Sequence, residues 1–235
     1  MNAMTRTTGL LLIAVPLVFT AGFTGLQMTF GYPDILRHPA GEVLTRFAQS
    51  GADLHLYWYA MMAASLAMIA ATIGAGLMFI KGDAFLASLS IGAGVLAGLV
   101  QAMGLLRWVI LVPMLAAQYT TPGATEIDQA MATSIFDFAN QYLGAGIGEH
   151  FGYFFTAIWT ILMSALIFKA HRIVASAGVV IGAGVLTGML EPFGVPMAGT
   201  IVSLSYTVWA LWTLALGVVT LSDGRRSILG AVQPA

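Results

Sequence analysis

The chain has 235 residues, of which 59% are hydrophobic and only 8% charged, and its mean hydropathy is +0.89. A soluble domain carries about a quarter of its residues charged, so an ordinary water-soluble protein is excluded and the solvent is a bilayer. A formal net charge of −1 with no basic run leaves no footprint for nucleic acid, and the absence of cysteine removes disulfides, iron–sulfur clusters and thiol nucleophiles.

Six stretches are long enough to cross the hydrocarbon layer, which takes about 20 helical residues. They run over residues 8–30, 55–80, 84–116, 148–169, 173–190 and 198–221. Backbone groups in lipid must be satisfied within their own segment, so the expected fold is an all-α polytopic membrane protein, a single six-helix domain. The first stretch follows Arg6 and resembles a secretory signal. It is read as an uncleaved span, because the apolar run continues through Leu26 and Met28 and five more spans follow.

Arg6, Lys81, Lys169, Arg172, Arg225 and Arg226 fall at one set of span ends, and only Arg37 and Arg46 at the other. The positive-inside rule then places both termini in the cytoplasm. Two longer connections are extracytoplasmic. In the first, Val43, Leu44 and Phe47 share a side that Glu42 and Arg46 avoid, which predicts a short amphipathic helix over 41–49. In the second, Thr125 and Asp128 form a near capping box. Ile127, Met131, Ile135, Phe138 and Tyr142 then recur at helical spacing, a second amphipathic helix lying on the bilayer or on the spans. Gly144, Gly146 and Gly148 read as a flexible joint into the fourth span, and the two surface helices as a lid or a simple cap on the bundle.

The third and fifth spans share a phrase. IGAGVLAG (Ile91–Gly98) and IGAGVLTG (Ile181–Gly188) agree at seven of eight positions with an offset of ninety. Gly94 with Gly98, and Gly184 with Gly188, lie four apart on one helix face, where the lack of a side chain admits a neighbouring backbone. Spans two and three, and four and five, are joined by short inner connections. They form two hairpins of the same direction, a parallel internal repeat.

The ionisable groups at membrane depth gather near the outer ends of spans two to five: Asp53, His55, Arg107, Glu149, His150 and Glu191. Burying such a group unpaired is costly, so each is a functional candidate. Arg107, far along its span, must snorkel or meet a carboxylate, and Glu149 and Glu191 are the available partners. His55 with Gln101 and His150 with Glu191 are the matched polar groups of the two hairpins. Tyr59 shares a face with His55, and Tyr153 with Glu149. Each also has a plainer reading. Tyr57, Trp58, Tyr59, Trp108 and Tyr153 form an interfacial aromatic belt, His55 faces water, Glu149 and His150 sit at a helix start where the dipole favours a carboxylate, and Glu191 precedes Pro192 where the helix stops.

Tyr32–Phe47 (YPDILRHPAGEVLTRF), Gly148–Trp159 (GEHFGYFFTAIW) and Tyr206–Leu221 (YTVWALWTLALGVVTL) resemble an uncharacterised bacterial six-span membrane family, domain of unknown function 4386. The resemblance implies a six-helix inner-membrane protein and transfers no activity or catalytic residue.

The residues themselves support four functions. The first is an extracytoplasmic-side polar pocket that binds or transports a small or lipophilic ligand through Arg107, with His55, Tyr59, Gln101 and Tyr153 lining it and the glutamates as counter-ions or proton carriers. The second is a membrane-embedded enzyme using Glu149, His150 and Glu191 as acid–base groups on an apolar substrate. The third is a haem held between His55 and His150. The last is an accessory subunit whose exposed glycine faces dock another membrane protein or a second copy. No spacing among the histidines and glutamates is diagnostic of a metal site, and no nucleotide-binding loop or hydrolase elbow occurs.

Overall fold

The computed structural model describes residues 2–232, with side chains described as far as Asp223. Arg225 and Arg226, two of the basic residues used for orientation, therefore have side chains outside the described set.

The described chain is helical and contains no strand. Its elements are α1 (Ala3–Phe30), a 3₁₀ turn (Asp34–Arg37), α2 (Ala40–Gln49), α3 (Ala52–Leu77) and α4 (Ala84–Leu106). A π-helical turn (Arg107–Leu111) leads into α5 (Val112–Thr120), and α6 (Glu126–Ala139) continues through a π-helical segment (Asn140–Phe151) into α7 (Gly152–Ile167). α8 (Arg172–Leu186), a 3₁₀ segment (Thr187–Phe193) and α9 (Ala198–Val232) complete the chain. Among the described residues six helical runs are long and apolar enough to cross a membrane: Ala3–Phe30, Ala52–Leu77, Ala84–Thr120, Glu126–Ile167, Arg172–Phe193 and Ala198–Asp223.

The glycine joint expected before the fourth span is corrected. Gly144, Gly146 and Gly148 lie inside the π-helical segment, and the helix runs unbroken from Glu126 to Ile167. Three glycines in five residues lower helix propensity, but Gly144 packs against Arg107 and Gly148 against Gly104, and these close approaches favour the helical form. The start of that helix follows the local chemistry. Thr125 Oγ1 accepts from the Asp128 amide at 3.2 Å, while Asp128 Oδ2 accepts from the Thr125 amide at 3.0 Å, a reciprocal capping box.

The chain divides into two compact units. One comprises Met1–Leu17, Ser65–Leu99 and His150–Ala235. Here the repeated glycines are filled from within. A side chain on Gly94 would strike Thr72, on Gly98 it would come within 2.7 Å of the Ser65 carbonyl, on Gly184 it would strike Ser205 and on Gly188 the Tyr153 ring. The faces that would have docked a second membrane protein are thus used by the chain itself, as close helix approach requires. Trp209 Nε1 donates to Thr160 Oγ1 and Trp212 Nε1 to the Val174 carbonyl, each at 2.8 Å, fastening α9 to α7 and α8.

The other unit comprises Val18–Ala64 and Val100–Glu149. Its core gathers Leu26, Phe30, Val43, Leu44, Phe47, Trp58, Trp108, Leu115 and Phe136. α2 buries Val43, Leu44 and Phe47 and exposes Glu42 and Arg46. α6 buries Ala132, Phe136 and Ala139 and turns Ile127, Met131, Ile135 and Phe138 away from the protein, as the π-helical segment does Tyr142. The two alanines let the helix approach its neighbours closely.

Candidate functional site

Arg107 is held by a local break in its own helix. Pro113 has no N–H to donate to the carbonyl four residues back, and its ring crowds that carbonyl, so the helix widens just upstream into the π turn Arg107–Leu111. That turn directs Arg107 and Trp108 inward, where they are 7% and 0% exposed.

The guanidinium is gripped on several sides. Nη1 donates to the Gly104 carbonyl and Nη2 to Asn140 Oδ1 at 3.1 Å. Its carbon lies 5.5 Å from the centre of the Trp108 ring, a cation–π contact strengthened by the burial of both groups. Gly144 packs directly against it: a Cβ there would stand 2.7 Å from Cζ. Trp108 in turn stacks on Trp58 with ring centres 4.5 Å apart and planes 2° from parallel. Phe30 and Phe136 meet Trp108 edge-on at 5.7 and 5.9 Å, and Tyr32 meets Trp58 edge-on at 5.0 Å.

The partly buried Tyr32 feels this electrostatics. Loss of water around its phenol pushes its pKa up to about 12, with the Glu149 carboxylate adding to the rise and the Arg107 charge opposing it. Arg107 Nε and the indole N–H groups of Trp58 and Trp108 are buried and find no acceptor among the described residues. The core of this unit therefore holds a cation and three unspent donors within one aromatic cluster.

The residues selected from the sequence are distributed unevenly. In this unit Gln101 and Glu149 are partly buried and engaged by neighbours, while His55 is exposed with its ring 5.0 Å from that of Phe47, and Tyr59 is 55% exposed. In the other unit His150 lies partly buried beside Phe151, its Nδ1 without an acceptor or donor partner among the described residues. Tyr153 covers Gly188 and lies 5.7 Å from the ring of Tyr206, and Glu191 sits on the 3₁₀ segment next to Gly199. The belt reading is corrected for Trp58 and Trp108, which are core residues; Tyr59 alone of that group stays largely exposed. Among the described residues no group of three or more histidine or acidic side chains is placed to hold a metal ion.

Sequence reasoning missed Tyr32, Asn140 and Gly144. It sought carboxylates for Arg107, of which Glu149 shares the site, and overlooked the neutral acceptor that Asn140 supplies thirty-three residues away. The available signal was the cluster itself, in which a polar Asn and a small Gly fall four apart, one helical turn, just before the fourth apolar run.

Six helices of this length and hydropathy define a multi-pass integral membrane protein. The chain belongs to the family described as Domain of unknown function (DUF4386), whose profile matches residues 7–220. No curated protein and no solved structure matches the chain.

Proposed function

We propose that this is a bacterial inner-membrane protein, both termini cytoplasmic, that binds or carries a small lipophilic ligand bearing a carboxylate or similar oxygen acceptor. Arg107 is the charge anchor on the extracytoplasmic side, with Tyr32 and Asn140 beside it. Glu149 serves as its counter-charge or proton carrier. The observation that carries the reading is the donor excess: Arg107 Nε and the Trp58 and Trp108 indoles are buried without an acceptor among the described residues. Leaving each unpaired costs about 1–3 kcal/mol, and an acceptor with an apolar body would recover that cost among the aromatic rings. A salt bridge serving stability alone would account for the guanidinium charge and leave the two indoles unexplained.

Thermal unfolding in detergent with decanoate and with decanol tests this. Decanoate at a hundred times its dissociation constant is expected to raise Tm by about 5–10 °C, with decanol far weaker. R107Q is expected to abolish the difference. Equal effects of acid and alcohol on the wild type contradict the reading.

A further inference from the structure

The first unit contains a cavity that the Arg107 reading does not use. It has a volume of about 700 Å³, within the range of about 300–1,000 Å³ typical of small-molecule sites. Its walls are apolar, with Leu77, Met163, Ile167, Leu216 and Val219 contributing, and its rim is polar, with Lys81, His171 and Asp223. By chain position the rim joins the start of the first span, the end of the second, the turn between the fourth and fifth and the end of the sixth. Alternating crossings put all four at the same membrane surface.

Charge selects the occupant. His171 Nε2 and Asp223 Oδ2 are 2.7 Å apart, so the rim carboxylate is already engaged. Lys81 is exposed and makes no ion pair among the described residues. The neighbouring exposed charges of this end, Arg6, Lys169 and Arg172 against Asp83, leave it cationic. A slot with an apolar floor and a cation at headgroup level suits a chain with an anionic head.

We infer that this cavity is a binding site for one anionic phospholipid, its phosphate on Lys81 and an acyl chain inserted between Met163, Ile167 and Val219. The inference is independent of the Arg107 site, which belongs to the other unit.

Native mass spectrometry of delipidated protein titrated with an equimolar mixture of dioleoylphosphatidylglycerol and dioleoylphosphatidylcholine tests it. One lysine at the surface is expected to favour the anionic lipid about fivefold, and K81Q to bring the ratio close to one. V219W fills the cavity and is expected to remove the tightly held lipid while the protein remains monodisperse. Equal retention of the two lipids by the wild type, or a preference that survives K81Q, overturns the inference. So does bound lipid that persists in folded V219W, which would mark it as merely annular. Should V219W fail to fold, K81Q decides alone.

Discussion

Replacing Gly104, Gly144 and Gly146 singly by alanine tests the packing that holds Arg107 in place, because the three substitutions are chemically identical and their surroundings differ. Alanine inside a helix is favoured over glycine by about 1 kcal/mol, so each change begins with that gain. At Gly146 the new methyl would meet nothing closer than the Gln141 carbonyl at 3.5 Å, an ordinary contact, and the gain survives. At Gly144 it would press on the Arg107 guanidinium, 2.7 Å from Cζ, and that group is fixed by Gly104 and Asn140. Overpacking of this kind costs about 1–3 kcal/mol and cancels or reverses the gain. At Gly104 the methyl would lie 2.6 Å from the Gly148 Cα, where only backbone can yield. The cost there falls at the upper end of the overpacking range, a net loss of about 2 kcal/mol. With about 2–4 °C per kcal/mol for a chain of this size, thermal unfolding followed by circular dichroism is expected to show G146A rising by about 2–4 °C. G144A should be unchanged or lower, and G104A lower by about 4–8 °C. A common rise in all three would mean that Gly104 and Gly148 do not approach each other, and the account of the Arg107 site would fail with them.

Other perturbations bear on the same core. Asn140→Leu removes the acceptor of Arg107 Nη2 and should destabilise by about 1–3 kcal/mol in chemical unfolding, with Asn140→Asp restoring most of the loss because it keeps the oxygen. Tyr32 holds its proton to about pH 12 in the folded protein, whereas the unfolded chain loses it near 10, so between those values the unfolded state binds fewer protons and stability falls as pH rises. The stability difference between wild type and Tyr32→Phe is therefore expected to be flat below pH 9 and to turn against the wild type above pH 10; a pH-independent difference would contradict it. Thr125→Ala deletes one half of the capping box and should cost about 0.5–2 kcal/mol, measured by hydrogen exchange at the first turn of α6.

Hydropathy alone located the spans, because a bilayer imposes a length and an apolar composition that 20-residue windows reveal. The structure moves five of the six spans by no more than about five residues at either end. The fourth is the exception, and its reason is instructive. Gly144, Gly146 and Gly148 carry the signature of a flexible joint, but in the folded chain they are absorbed into a π-helical run, with Gly144 packed on Arg107 and Gly148 on Gly104. The stripe from Ile127 to Tyr142 had the right period, yet spacing alone cannot tell an apolar face buried in the protein from one turned away from it. The depth of Arg107 in its span marked it as a residue that must snorkel or be buried against a partner, and the structure buries it. Glu149, one of the two carboxylates named from the sequence, shares the site, but Asn140 and Tyr32 were hidden, since Asn140 is neutral, Tyr32 lies beyond the end of α1, and neither has a spacing that points to Arg107. The stacking of Trp58 on Trp108 was likewise hidden: tryptophan near a span end reads as an interface anchor until its burial is known.

Native mass spectrometry of the wild type and R107Q, released from membranes in mild detergent, addresses the ligand most directly. The account predicts an acidic, lipophilic adduct on the wild type that is missing from folded, monodisperse R107Q. Identical adduct-free spectra for the two proteins, or one adduct retained equally by both, would contradict a ligand anchored on Arg107.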